Sequence, residues 1–245
     1  MRLIAFGDIH GQREKLACLL DQVRPTRTDH LVFLGDYIDR GPDSRGVVDL
    51  LIELAGDFPQ TVFLRGNHEQ MLLDAAKTEA PHGLPEWNRL IDLDPDWASS
   101  NGIYDLTNQW FMNGGRATLA SYGVDEDERA KIYEGKVVPW NVVPQEHIDF
   151  LQATKLWHRF GEYLFIHAGV NDEPLEDQSP STFLWSRWLP GGQEETHVVG
   201  HTPTKDRRPG FWDEEYRLIE LDTGAGYGGP LTACDVLTRQ FWQAL

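Results

Sequence analysis

The stretch FLRGNHEQ, at residues 63–70, joins a short apolar run to a cluster of polar residues. The run at 62–64 predicts the end of a buried strand, and Gly66 interrupts it. A cation, an amide, an imidazole and a carboxylate then occupy five positions, as Arg65, Asn67, His68 and Glu69. Polar groups at such a junction cost desolvation free energy unless they find partners. The stretch therefore predicts that other segments of the chain bring partners to this point.

The same arrangement recurs elsewhere in the chain. Apolar runs at 3–6, 31–34, 163–166 and 198–199 predict buried strands. They end in the polar segments GDIHG, GDYIDRGPDS, HAG and GHTP. Helical spacing of apolar residues lies between the first three strands and after the third, at 16–23, 47–54 and 67–76. This alternation predicts an α/β fold with parallel strand pairs. Ligands in such folds bind beyond the carboxyl ends of the strands, where the polar segments lie.

The rest of the chain is expected to complete one domain, residues 1–245. Residues 78–143 are rich in Pro, Asp, Asn and Trp, which predicts an irregular, partly helical insertion. Its tryptophans are expected to pack against one another, and lining a substrate site is the alternative. A helix is expected from near Pro144 towards Leu156. The C-terminal segment predicts strands joined by glycine-rich turns, with a hairpin at Thr238 and Arg239.

Composition excludes several classes of partner. The formal net charge is −17, whereas binding to nucleic acid or anionic membranes requires a basic surface. The two cysteines, Cys18 and Cys234, are too few for a disulfide framework and suit a reducing compartment. No apolar run has the length of a signal peptide or a membrane span. We therefore expect a cytoplasmic protein that binds neither nucleic acid nor membrane.

The strand-end residues offer oxygen and imidazole nitrogen ligands from their carboxylates, their amide and their histidines, but no sulfur ligand. They are Asp8, His10, Asp36, Asp39, Arg40, Asn67, His68, His167 and His201. Such a set suits Mn, Fe, Zn or Mg. One metal ion would leave ligands unused, whereas two ions that share a carboxylate account for the set. Paired ions of this kind activate water for attack on phosphorus.

The order of these segments resembles the calcineurin-like metallophosphoesterases. The matching segments are GDIHGQ, GDYIDRGPDS, RGNHEQ, FIHAGV and VVGHTP. YIDRGP together with GNHE is similar to the phosphoprotein phosphatase branch, the Ser/Thr protein phosphatases. NGGRATLASYGV at 113–124 and DTGAGYGGPLTA at 222–233 resemble its small bacterial members. The resemblance implies a four-layer sandwich of two mixed sheets flanked by helices, with a helical insertion.

The resemblance also implies a role for each matching position. The first metal would be held by Asp8, His10 and Asp36. The second would be held by Asp36, which bridges the two, and by Asn67, His167 and His201. Manganese is the expected metal, with Fe, Zn or Mg as alternatives.

The remaining matches imply substrate chemistry. His68 matches a general acid, and an imidazolium can give a proton to a departing alkoxide. Asp39 matches its carboxylate partner, which raises the pKa of the imidazole and orients it. Arg40 and the less securely matched Arg187 would hold phosphate oxygens with their planar guanidinium groups. Asn67 would also lie close to the phosphate.

These expectations point to a metal-dependent phosphomonoester hydrolase, a Ser/Thr protein phosphatase acting on a phosphorylated protein or a small phosphoester. The alternative is a symmetrical dinucleoside tetraphosphate hydrolase. That family lacks an aspartate at the position of Asp39 and usually reads GNHD where this chain has Glu69. Pro203 replaces a second histidine that is found in many phosphodiesterase relatives, which argues against a cyclic-nucleotide phosphodiesterase. A non-catalytic metal-binding scaffold is a remote third possibility.

Other notable residues are expected to be structural. This group contains five histidines: His30, His82, His147, His158 and His197. Arg65 is expected to pair with nearby carboxylates. Glu69 is expected to form local hydrogen bonds at the start of its helix, where a negative charge is favoured. Gly66 is expected to permit a sharp backbone turn.

Overall fold

The computed structural model describes residues 1–77, 109–127, 142–189, 194–212 and 217–245. Their strands form two five-stranded sheets. Helices are associated with the outer face of each sheet. None of the helices in these described ranges is long and apolar enough to cross a bilayer.

The first sheet has the strand order β10-β9-β1-β2-β3. Its strands are β1 (Leu3–Phe6), β2 (His30–Phe33), β3 (Thr61–Phe63), β9 (Leu231–Asp235) and β10 (Gln240–Ala244). The β1, β2 and β3 strands run parallel, whereas β9 and β10 form an antiparallel hairpin beside β1. The predicted parallel pairs and the C-terminal hairpin are therefore confirmed.

The second sheet has the order β4-β5-β6-β8-β7. Its strands are β4 (Trp157–Phe160), β5 (Tyr163–Ile166), β6 (Thr196–Val199), β7 (Gly210–Trp212) and β8 (Leu218–Glu220). The β5, β6 and β8 strands run parallel, and the two edge strands are antiparallel to their neighbours. Parallel strands direct their carboxyl ends to the same edge, so β5, β6 and β8 all end at one edge of this sheet.

Helices connect the strands. They are α1 (Arg13–Val23), α2 (Ser44–Asp57), α3 (Asn67–Lys77), α4 (Arg116–Ser121), α5 (Gln145–Gln152) and α6 (Pro180–Trp185). A wide helical turn, Phe111–Gly115, precedes α4, and short 3₁₀ turns lie at Leu175–Asp177 and Ala225–Tyr227. The N-terminus of α2 is capped by the Asp43 side chain, which accepts a hydrogen bond from the Gly46 amide at 2.8 Å.

Three apolar clusters hold the layers together. Between the sheets, Ala5 and Val32 of the first pack in one cluster with Phe165 and Val198 of the second. The opposite face of the first sheet packs in the largest cluster with α1 and α2. The outer face of the second sheet packs around Phe183 of α6. This arrangement confirms the predicted sandwich of two mixed sheets flanked by helices.

Several boundaries differ from those predicted. The β2 and β6 strands begin earlier than their apolar runs because His30 pairs with Leu3, and Thr196 pairs with Tyr163, in the ladders. The β3 strand is half-buried because it lies at the edge of the first sheet. The expected helix after Pro144 ends at Gln152, and β4 follows it.

The β4 and β7 strands and helix α6 were not predicted. Both strands lie at sheet edges and are only partly buried, and β4 mixes polar with apolar residues while β7 is three residues long, so no buried apolar run marks them. Of the predicted insertion, residues 109–127 are described and include α4, while its other residues, 78–108 and 128–141, lie outside the described residues. Trp87, Trp97 and Trp140 therefore cannot be compared with the expected aromatic cluster.

Candidate active site

Five strand ends meet at one place. The residues after β1, β2 and β3 come from the first sheet, and those after β5 and β6 come from the second. A continuous set of contacts links them. Asn67 Oδ1 lies 3.0 Å from both His167 Nε2 and His201 Nδ1, and the backbone N–H of His201 donates to Asp8 at 3.0 Å. His10 Nε2 lies 3.5 Å from Asp36 Oδ2, and Arg40 contacts His10.

Two groups of potential metal ligands share Asp36. One contains His10, Asp36 and His68, and the other contains Asp36, His167 and His201. Within each group the ligand atoms lie within 4.8 Å of one another. A carboxylate common to both groups is the arrangement that two neighbouring metal ions require.

The hydrogen bonds fix which imidazole nitrogen is available to a cation. His167 Nδ1 donates to the Leu34 carbonyl at 2.9 Å, which leaves the Nε2 lone pair facing Asn67 Oδ1 at 3.0 Å and Asp36 Oδ1 at 3.4 Å. His10 Nδ1 donates in the same way to Ile38 O at 3.0 Å. When the ring is neutral, the lone pair of His167 Nε2 faces the lone pairs of Asn67 Oδ1 and Asp36 Oδ1, and no proton lies between them. A cation would relieve this repulsion, so the residues fit a metal centre.

Protonation states also suit metal binding. Burial lowers the pKa of His10 and of His201 to about 3, and it lowers the pKa of His167. Burial alone would raise the pKa of Asp36, but the surrounding histidines outweigh it and lower the pKa. The site therefore presents neutral imidazoles around a carboxylate, the forms that ligate metals.

Asp8 lies beside these groups and belongs to neither. Its pKa is raised well above the usual range by burial and by the charges of Asp222 and Asp36. Asp222 follows β8 and is buried next to Asp8, and burial raises its pKa to about 6. The sequence reasoning missed Asp222. The signal was present, because DTG follows a strand as GDIHG does.

His68 and Asp39, which were predicted to form a pair, are in direct contact. His68 Nδ1 donates to Asp39 Oδ2 at 2.6 Å, and both side chains are buried. Burial opposes the charged imidazole, but the negative charges of Asp36 and Asp39 outweigh this effect and raise the pKa of His68. Two further side chains, Trp110 and Thr118, donate to Asp39. The sequence reasoning missed both roles.

The two predicted arginines occupy different environments. Arg40 lies beside His10, and its guanidinium is 4.6 Å from the centre of the Tyr227 ring. Arg187 is exposed after α6, and its charge contributes to lowering the pKa of His201. The ring of Trp185 meets His201 edge-on at 6.1 Å. An exposed aromatic ring thus lies near each ligand group, Tyr227 beside Arg40 and Trp185 beside His201.

Glu69 does more than form local contacts at its helix. Its carboxylate accepts from the backbone N–H groups of Asp36, Tyr37 and Gly66 at 2.8–2.9 Å, and from Ile38 at 3.3 Å. Burial and the charge of Asp36 raise its pKa to about 7. Glu69 therefore ties the loop after β2 to the loop after β3, and both loops carry predicted ligands.

The backbone is unusual at this site. Five predicted site residues adopt positive φ: His10, Asp36, Asp39, Arg40 and His201. Such conformations cost non-glycine residues free energy and cluster at functional sites. Gly66 is required for a different reason from the one predicted. Its φ is not positive, but a Cβ there would lie 2.1 Å from Asp36 Oδ1.

Four of the histidines expected to be structural lie apart from the two ligand groups. His30 and His158 contact each other through their Nε2 atoms at 3.0 Å. His147 bonds to Tyr122 and Asp49, and His197 is buried on β6. His82 lies outside the described residues.

Arg65 is also structural: the charges of Glu69 and Asp74 act on its guanidinium, as expected, but its hydrogen-bond partners are other groups. They are the Thr154 hydroxyl, the Gln70 side chain and the Gln152 and Thr154 carbonyls. These contacts attach the loop after β3 to the segment after α5.

Comparison with known proteins gives two kinds of relative. Serine/threonine-protein phosphatase 1 of Salmonella typhimurium is 31% identical over 238 residues, covering 92% of this chain and 88% of the relative. Bis(5'-nucleosyl)-tetraphosphatase PrpE [asymmetrical] of Anoxybacillus flavithermus is 26% identical over 246 residues, covering 93% and 87%. The PrpE proteins are named as asymmetrical enzymes, whereas the expected alternative was a symmetrical hydrolase.

Solved structures support the fold. A protein provisionally described as a diadenosine tetraphosphatase superposes with a TM-score of 0.62 at 21% identity, covering 99% of this chain and 92% of its own. The cold-active protein-tyrosine phosphatase of a Shewanella species superposes at 0.58 with 15% identity, covering 100% and 80%. The family model of the calcineurin-like phosphoesterases matches residues 1–227. The chain therefore belongs to the calcineurin-like phosphoesterase family.

Proposed function

We propose that the protein is a Ser/Thr protein phosphatase that uses two divalent metal ions, with manganese as the expected metal. The observation that carries this proposal is the buried His68–Asp39 pair, 2.6 Å apart, beside ligand groups that share Asp36. A phosphorylated serine or threonine releases a strongly basic alkoxide, so its hydrolysis benefits from a placed proton donor.

The proposed ligands are those predicted from the sequence. Asp8, His10 and Asp36 would hold one ion, and Asp36, Asn67, His167 and His201 would hold the other. When bound, such ions lower the pKa of a shared water towards about 7 and supply a nucleophile at neutral pH. His68 Nε2 is 3.8 Å from Asp36 Oδ2, but the negative charges of Asp36 and Asp39 raise the pKa of His68 and favour the protonated ring, which has no lone pair for a metal. We assign His68 to proton donation rather than to metal binding.

The remaining residues bind and orient the substrate. Arg40 would take two phosphate oxygens with its guanidinium, and Arg187, whose charge acts on His201, would take a further oxygen. His68 donates through Nδ1 to Asp39, and the carboxylates of Asp36 and Asp39 raise its pKa against the effect of burial, which favours the imidazolium. In that protonated ring Nε2 also carries a proton, and this proton would go to the leaving oxygen. Asp39 accepts throughout and keeps the ring in this orientation.

Hydrolysis of a dinucleoside tetraphosphate is the second candidate. The PrpE relatives and the structure of the diadenosine tetraphosphatase favour it. Its leaving group is a nucleotide phosphate, which is far less basic than an alkoxide. That reaction has less need of a general acid, whereas the His68–Asp39 pair is buried and hydrogen-bonded.

A substrate panel tests the choice. The protein reconstituted with Mn would be assayed on phosphoserine, phosphothreonine and phosphotyrosine peptides, diadenosine tetraphosphate and an aryl phosphate. We expect the highest kcat/KM on phosphoserine or phosphothreonine peptides. A strong preference for the dinucleotide would move the protein to the second candidate, and a lack of activity on every substrate would favour a non-catalytic scaffold.

His68→Asn isolates the general acid. The variant should keep its metals and lose roughly 100- to 10,000-fold in kcat on the phosphoserine peptide, the usual size of such catalysis. The loss on an aryl phosphate should be smaller because that leaving group is more acidic. Asp39→Asn should show the same dependence more mildly. Equal losses on both substrates, with metal retained, would contradict the assignment.

A further inference from the structure

The carboxylate of Asp39 is held by a segment that is distant in the sequence. Trp110 donates its indole N–H to both carboxylate oxygens of Asp39, at 2.9 and 3.0 Å. Thr118 of α4 donates its hydroxyl to Oδ1 at 2.6 Å. All three side chains are fully buried, so water does not compete for these contacts. Asp39 therefore has partners on each oxygen in addition to His68.

The directions of these hydrogen bonds can be assigned. A carboxylate accepts only, so the Thr118 hydroxyl must donate to Asp39 and its oxygen is free to accept. It accepts from the Asp39 backbone N–H at 2.9 Å and from the Ser44 hydroxyl at 3.0 Å. Ser44 in turn accepts from the same N–H at 3.0 Å. Thr118 thus holds both the main chain and the side chain of Asp39.

The backbone at this point needs such support. Asp39 and Arg40 have φ values of 73° and 66°, which non-glycine residues rarely adopt. The Arg40 N–H donates to the Gly114 carbonyl at 3.3 Å, and Gly114 itself has φ 109°. A Cβ on Gly114 would approach Arg40 Cγ to 2.8 Å. Residues 110–118 therefore support the strained pair through both backbone and side-chain contacts.

We propose that Trp110 and Thr118 are positioning residues of the general acid, which hold Asp39 so that it orients the His68 ring towards the leaving oxygen. This inference rests on the proposed role of His68. Neither residue belongs to the candidate metal-ligand groups or to the arginines proposed to bind phosphate, so each would act through Asp39. It follows that residues 109–127 contribute to catalysis by their packing against the loop after β2.

Removal of one donor at a time tests the proposal. Thr118→Val keeps the shape and deletes the hydroxyl, and Trp110→Phe keeps a ring and deletes the N–H. A displacement of the acid by about 1 Å can cost on the order of 100-fold in rate. We expect each variant to lose roughly 10- to 100-fold in kcat on a phosphoserine peptide, and clearly less on aryl phosphates with acidic leaving groups. Thr118→Ser retains the hydroxyl, and its kcat on both substrates should be close to that of the wild type.

Ser121→Ala is the matched control. Its hydroxyl lies on the same helix and donates to the Thr118 carbonyl at 2.7 Å, but its contacts do not include Asp39. It should keep the wild-type rates and leaving-group dependence. Thermal denaturation and metal content of every variant separate a folding defect from a positioning defect. If Thr118→Val folds poorly, Trp110→Phe tests the proposal in its place, with its rate expressed per folded molecule.

A double-mutant cycle gives the sharpest outcome. In a His68→Asn background, Thr118→Val should cause no further loss, since its effect passes through the missing imidazole. Full additivity, or equal losses on peptide and aryl phosphate, would overturn the proposal. If His68→Asn loses the same factor in rate on the phosphoserine peptide and on the aryl phosphate, the proposed function is refuted instead. That result does not depend on the Thr118 variants.

Discussion

Gly66→Ala tests whether the ligand shared by both metal groups depends on close contact with a glycine. An added Cβ would lie 2.1 Å from Asp36 Oδ1 and 2.4 Å from the Asp36 backbone nitrogen. Ordinary contact begins at 3.4 Å, so relief of the main-chain contact alone requires the two loops to separate by about 1.0 Å. The contact is with the main chain of Asp36 as well as its side chain, so rotation of the carboxylate cannot relieve it.

A displacement of this size should disable the site. Misplacement by about 1 Å can cost on the order of 100-fold in rate, so we expect at least that loss in kcat/KM on an aryl phosphate. Metal content after reconstitution should also fall, because Asp36 belongs to both groups. Activity would be followed by release of the aryl alcohol, metal content by elemental analysis, and folding by circular dichroism.

Gly56→Ala is the matched control. Gly56 lies in α2 with no atom within 4 Å of an added Cβ, and it is exposed. The change should leave activity intact and raise the free energy of unfolding by up to about 1 kcal/mol, from helix propensity. Wild-type activity and metal content in Gly66→Ala would refute the close-contact reasoning and favour the simple turn expected from the sequence.

Three further perturbations have defined outcomes. Asp36→Asn should lower the metal content of the reconstituted protein from about two ions per chain to one or fewer, measured by elemental analysis, and retention of both would contradict a shared ligand. Tyr227→Ala removes the ring beside the Arg40 guanidinium and should raise KM about 2- to 5-fold with little change in kcat, which steady-state kinetics would check. Burial lowers the pKa of His30, and burial and neighbouring charge lower that of His158 to about 4, so both rings are neutral in the folded protein. These histidines take up protons in the unfolded chain below about pH 6.5, so the free energy of unfolding should fall as pH decreases from about 6.5 towards 4. Denaturant titrations at several pH values should show a weaker pH dependence of this free energy in His158→Phe.

The residues at the strand ends were the part of this site that the sequence could predict. Apolar runs followed by polar segments located Asp36, Asn67 and His167 because parallel strands end at one edge. That inference needs only the strand order and the direction of the chain. It extends in principle to Asp222, which follows β8 at the edge shared with β5 and β6.

Contacts between distant segments were not predictable in the same way. Trp110 and Thr118 lie 71 and 79 residues from Asp39, and no periodicity relates them. The sequence assigned Trp110 to an aromatic cluster, and it does lie near Phe111, but its N–H is used by Asp39. Glu69 was placed correctly at a helix start, while its four backbone partners depend on how two loops approach each other.

The proposed metal ligands come from both sheets. Asp36 and Asn67 follow strands of the first sheet, whereas His167 and His201 follow strands of the second. Ions bound between them would act as cross-links between two halves of the sandwich that also meet through apolar side chains and a few hydrogen bonds. Ligand binding to the folded state stabilises it by RT ln(1 + [L]/Kd), about 2.7 kcal/mol at 100 times Kd. The melting temperature would then rise with the logarithm of free metal concentration, so thermal denaturation would measure metal affinity without any substrate. A chelator would weaken the protein as a whole, and a cell short of the metal would lose folded protein as well as activity.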